Sequence, residues 1–117
     1  MTDIRPKTLD LTLGGKQYSL CCNFAVLADV DFSHGGVQQT LNAGSFAATL
    51  TFLTAMLNDC ERRAGSATRY SCDDASDLLA DYPGSASELA NATMEVVLAA
   101  LSGGIAKTKE SENDEKN

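Results

Sequence analysis

The chain has 117 residues, is 44% hydrophobic and carries a formal charge of −7, which suits one domain with its own core. Residues 1–102 hold six Lys/Arg against twelve Asp/Glu, and residues 103–117 hold three against four, so the acidity belongs to the part expected to fold. Such a surface repels phosphate backbones and anionic lipids, and no apolar run reaches the roughly 20 residues of a membrane span.

Residues 1–7 are polar and are expected to fray. In TLDLTL, Leu9, Leu11 and Leu13 alternate with Thr8, Asp10 and Thr12, the pattern of a half-buried strand. Gly14-Gly15 suits a tight hairpin turn. The return strand KQYSLCC places Tyr18, Leu20 and Cys22 on one face, so both strands can serve one core.

Asn23 reads as a helix N-cap. Phe24, Leu27 and Ala28 follow at helical spacing, with Val30 widening the stripe, until Ser33-His34-Gly35-Gly36 stops it. Val37 and Leu41 predict a short helix over about 36–42. The strongest helix spans about 45–63. Phe46, Leu50, Leu53, Leu57 and Cys60 step by four and three, and Phe52 and Met56 form a second stripe beside them. So wide an apolar surface indicates a central helix with several neighbours. Arg62 and Arg63 complement the dipole at its end, before Gly65.

SATRY is a loop. Ser71 and Asp74 form an S-x-x-D helix start, and Ala75, Leu78 and Leu79 are the inner face of the helix that follows. Pro83-Gly84 end it, and Ser85 with Glu88 forms a fuller capping box. The last helix runs over about 86–102, with Leu89, Thr93, Val96, Val97, Ala100 and Leu101 facing inward. Gly103-Gly104 terminate it, and the polar tail 104–117 is expected to be disordered. The expected fold is therefore α+β and predominantly α-helical. An N-terminal β-hairpin precedes four to five helices packed as a small bundle over residues 8–103. The hairpin must lie on the helices or gain strands from a partner.

Chemistry-bearing groups are sparse. His34 is the only histidine and lies in a glycine-rich loop without a telling neighbour. Asp73 and Asp74 fall in a first helical turn, where anions are favoured, and Asp77 and Asp81 continue a solvated face without calcium-loop alternation. Gly14-Gly15 and Gly35-Gly36 lack the lysine and hydroxyl of a phosphate loop. Cys21, Cys22, Cys60 and Cys72 show no CxxC and no Cys/His spacing, and no signal peptide points to a secreted disulfide framework. They read as free thiols in a reducing cytosol. These residues predict a binding module with no catalytic site, no metal and no cofactor. Arg62, Arg63 and Arg69 are the only basic cluster.

The order of segments resembles the phage tail assembly chaperone family. LTLGGKQYSLCCNFAVLADVD resembles the family's opening strand, Gly-Gly-Lys-type turn, second strand and Asn/Asp-Phe-x-x-Leu helix. SFAATLTFLTAMLND resembles its long Leu/Ala-rich helix, SCDDASDLLADY its capped acidic segment, and ELANATMEVVLAALSG its closing helix. The likeness covers about residues 8–103. Phe32–Gly36 departs from the family's Gly-Lys-Ser-like turn, and Cys21 and Cys22 replace polar or aliphatic strand residues.

The resemblance implies a non-enzymatic protein of a phage or prophage. It would act in the host bacterial cytoplasm and be absent from the mature virion. It would bind the tape measure protein, keep it soluble, and be displaced as tail tube protein polymerises. A longer frameshifted form would recruit tube subunits, with 104–117 as its junction. Self-association into a homo-oligomer is also implied. On this reading Phe46, Leu50, Leu53 and Leu57 lie near the client or self-association surface, and Phe52 and Met56 on the flanking stripe are the more informative positions to substitute. The alternative is a structural tail or head–tail connector subunit, which should carry more strand. A small metal- or thiol-dependent enzyme is a third reading, testable by zinc content and thiol reactivity.

Overall fold

The computed structural model describes residues 7–104. Apart from residues 7 and 104, the expected frayed N-terminus and polar tail lie outside them. The elements in chain order are β1 (Thr8–Leu13), β2 (Lys16–Cys21), α1 (Phe24–Ser33), α2 (Val37–Asn42), α3 (Ser45–Arg63), α4 (Cys72–Leu79) and α5 (Ala86–Ala99), closed by a π-helical turn at Ala100–Gly104. This is the α+β hairpin-and-bundle fold expected from the sequence.

β1 and β2 form an antiparallel pair in which Leu13 faces Lys16, Leu11 faces Tyr18 and Leu9 faces Leu20. Gly14 and Gly15 turn the chain with φ of 58° and 81°, the left-handed pair of a two-residue hairpin. Cross-strand partners share a face. Leu11, Leu13, Tyr18 and Leu20 are therefore buried together, while Thr8, Asp10 and Thr12 face water. The hairpin is not isolated: β2 lies on α3 and β1 on α5.

α3 is the axis of the molecule. It packs against α1, α2, α4, α5 and β2, so every residue from Phe52 to Leu57 is buried. The hydroxyls of Thr49, Thr54 and Thr93 are buried as well, and each donates to the carbonyl one turn earlier, at 2.6–2.7 Å. Their polar groups are satisfied inside their own helices, which leaves the interhelical space apolar.

Both predicted serine caps close as reciprocal boxes, Ser71 with Asp74 and Ser85 with Glu88. α2 has no side-chain cap of its own. The Oδ1 of Asp31 on α1 accepts from the Val37 N–H at 2.8 Å instead.

Two details differ from the sequence reading. Phe24 is 74% exposed, and the inner face of α1 is Val26 and Val30 with Leu27 half-buried. Leu101 is exposed, because the π turn widens the last turn and rotates it off the inward stripe of Leu89, Thr93, Val96, Val97 and Ala100. Phe46 is 59% exposed, since it sits in the first turn of α3.

Candidate functional site

Two features stand out against the apolar core: a polar junction at the C-terminal end of α3 and a set of exposed phenylalanines. The junction begins with Asn23. Its Oδ1 accepts from the Val26 N–H at 2.9 Å, and its Nδ2 donates to Asp59 Oδ2 at 2.9 Å. Asp59 is only 5% exposed. Arg62 and Arg63, three and four residues on, both donate to it, Arg63 at 2.8 Å. Burial alone would raise this carboxyl, but hydrogen bonds from Arg63, Arg62 and Asn23 outweigh it and hold the group below its ordinary value. Arg63 also reaches the Ser19 carbonyl of β2 at 3.4 Å.

Glu61 is the second buried acid, 3% exposed. Tyr70 donates to it at 2.7 Å and Lys16 at 3.1 Å. The Tyr70 hydrogen bond, then that of Lys16, hold Glu61 below its ordinary value against its burial. The same contact raises Lys16. Lys16 Nζ lies 4.9 Å from the Tyr18 ring centroid, and the Tyr18 and Tyr70 hydroxyls are 3.4 Å apart. Asn58 completes the junction by pairing with the Tyr70 backbone in both directions, at 2.7 and 2.9 Å.

The junction opens into a cleft of about 300 Å³ between α1 and α3, lined in part by Asp29, Asn58, Asp59, Arg62 and Arg69. Its polar contacts fasten one element to another. Asp59 ties α1 to α3, Arg63 reaches the hairpin, and Glu61 ties the hairpin and the 66–71 loop to α3. Among the described residues that line the cleft there is no cysteine, serine or histidine.

Other candidates from the sequence stay apart. His34 caps the end of α1. Asp74 is occupied in its capping box. Among the described residues no three His, Cys, Asp or Glu side chains are grouped to hold a metal ion. Cys22 is buried, its thiol pushed by that burial up to about 12, whereas Cys21, Cys60 and Cys72 are half-buried, and all four are free.

The six residues read as a partner surface do not share one. Phe52, Leu53, Met56 and Leu57 are each 0% exposed, so they build the core and cannot touch a client in the folded chain. Only Phe46 is exposed, with Leu50 half-buried behind it. The physical reason is the position of α3: packed by five other elements, it consumes both of its apolar stripes internally from Phe52 to Leu57.

The large exposed apolar residues are Phe24, Phe32, Phe46, Leu98 and Leu101 among those described, and Phe32 is 90% exposed. Sequence reasoning placed Phe24 inside and passed over Phe32. Their spacing of eight residues on an apolar helix is the signal that marks them. Asn23 meeting Asp59, and Ala25 and Asp29 facing Ala55 and Asn58, set α1 antiparallel to α3. Phe32 and Phe46 therefore lie at the same end of the molecule.

Comparison of the chain with protein-family models, with curated proteins and with solved structures gives no match.

Proposed function

We propose that this protein is a non-enzymatic phage tail assembly chaperone. It binds the tape measure protein in the host bacterial cytoplasm and keeps it soluble until tail tube protein polymerises around it. The observation that carries this reading is the exposure of Phe24, Phe32 and Phe46 on helices of a strongly acidic chain. Large apolar side chains held in water are expected of a surface that covers another protein's apolar helix. The acidity around them keeps the pair soluble and away from nucleic acid. The likeness of segment order over residues 8–103 adds the client's identity. A longer form that recruits tube protein, and self-association, belong to the same proposal.

The test is co-expression with the tape measure protein encoded nearby, followed by size-exclusion chromatography with light scattering. A soluble complex, from a client insoluble alone, is the expected result and gives the stoichiometry. A lone protein beside an insoluble client overturns the reading and favours a structural tail subunit.

A further inference from the structure

α1 is apolar on two opposite sides. At 100° per residue, Val26 and Val30 point together into the core, where they are 1% and 0% exposed. Phe24, Ala28 and Phe32 recur every four residues on the opposite side, and the two rings are 74% and 90% exposed. Together these rings offer water on the order of 300 Å² of aromatic surface. A helix that is apolar all round normally has neighbours all round, yet α1 packs on α3 and α2 and, among the described residues, nothing covers its two rings.

The same geometry puts a carboxylate on each flank of the stripe, Asp31 next to Ala28 on one side and Asp29 next to Phe32 on the other, both in the C-terminal half of α1. Among the described residues the hydrogen bonds they accept come from neutral groups, Asp29 from the Ser33 hydroxyl at 3.0 Å and Asp31 from the Val37 N–H. Their negative charge is therefore not cancelled by their hydrogen bonds. No Lys or Arg occurs between Lys16 and Arg62. Arg62 and Arg69 line the cleft that Asp29 also lines, but Arg62 is held by Asp59, and Arg69 by the Ser66 and Thr68 carbonyls.

We propose that Phe24, Ala28 and Phe32 are the seat for one amphipathic client helix whose aliphatic stripe is flanked by Lys or Arg. The inference rests on the chaperone reading for its client, and adds which face is used and which charge the client bears. The two phenylalanines are the anchors and small Ala28 leaves the gap between them. A second copy of the chain is the poorer occupant, because pairing this face with itself sets Asp29 and Asp31 against their own copies.

The probe is a synthetic helical peptide of about 20 residues with a leucine stripe and lysine flanks, compared with the same stripe flanked by glutamate. Binding to the full chain is read by titration calorimetry. The lysine-flanked peptide is expected to bind more tightly than its glutamate counterpart, and less tightly as salt rises. The double variant Phe24→Ala/Phe32→Ala is expected to lose about tenfold or more in affinity. Asp29→Asn/Asp31→Asn, which keeps both acceptor oxygens, should lose severalfold. Circular dichroism and Tm should stay native in both, since the rings are outside the core.

Unchanged affinity in a natively folded Phe24→Ala/Phe32→Ala chain overturns the seat, as does failure of the lysine-flanked peptide to bind. So does light scattering that finds a dimer converted to monomer by that variant, since a second copy then covers the face. If this variant still keeps the tape measure protein soluble, the seat is wrong and the chaperone reading stands. If the peptide binds but the tape measure protein stays insoluble, the reverse holds.

Discussion

Asn23 spans two elements with one side chain: its carbonyl oxygen caps α1 and its amide donates to the buried Asp59 of α3. A cap fixes where a helix starts, and a hydrogen bond to a distant acid fixes how that helix is rotated. Together they decide that Val26 and Val30, rather than Phe24 and Ala28, enter the core.

Asn23→Ala should therefore cost more than an ordinary cap. Loss of the cap costs about 1 kcal/mol, and leaving Asp59 short of a donor adds roughly 1.5 kcal/mol. A fall of about 2–3 kcal/mol in urea unfolding, with an unchanged m-value, is the expected outcome. Asn23→Asp keeps the cap oxygen but sets a second carboxylate against Asp59, and should be no better.

Acid should unfold the chain through its junction. Asp59 and Glu61 are both held below their ordinary values in the fold. Their stabilisation is thus fully present above the unfolded carboxylate values near pH 4 and drains as the pH falls through the lower folded ones. Asp59→Asn should lower the Tm at pH 7 and flatten its decline between about pH 5 and pH 2. A Tm that falls with acid as steeply in the variant as in the parent would count against this account.

Phe52 and Phe46 sit six residues apart on one helix and should behave as opposites. Phe52→Ala empties a site at 0% exposure and should cost about 3–5 kcal/mol, enough to remove most of the stability of a small domain. Phe46→Ala, at 59% exposure, should stay within about 0.5 kcal/mol of the parent. Thermal unfolding by circular dichroism separates the two.

Thiol chemistry should split three to one. Cys21, Cys60 and Cys72 are half-buried, while Cys22 is fully buried with its thiol raised to about 12. A colourimetric thiol reagent at pH 8 should modify three groups in the native chain and the fourth only with unfolding. Four equally fast groups would show that the hairpin opens readily at its base.

Much of the architecture was legible because it rests on local chemistry. Alternation in TLDLTL and KQYSLCC, the Gly14-Gly15 turn and the two serine boxes each declare themselves within a few residues. The rotation of α1 was not legible. Phe24, Leu27 and Ala28 make as regular a stripe as Val26, Leu27 and Val30, and the choice is made by Asp59, thirty-six residues away from Asn23. The burial of Asp59 and Glu61 was hidden for the same reason. Arg62 and Arg63 suffice locally as dipole complements, although their positions three and four residues after Asp59 hinted at a shared acid. The surface residues followed from these two errors. With α3 assigned too much free face and α1 too little, Phe32 went unread.

The cation-free stretch has a practical side in protease digestion. Trypsin cuts after Lys or Arg, and between Lys16 and Arg62 it finds neither. Both boundary residues are in ion pairs with acids at the end of α3, Lys16 with Glu61 and Arg62 with Asp59. Complete digestion should release Gln17–Arg62 as one long peptide containing α1, α2 and nearly all of α3. Phe24, Phe32 and Phe46 would travel together on it, so a cross-linked client fragment would report this whole surface in a single mass, and chymotrypsin would be needed to say which ring it touched.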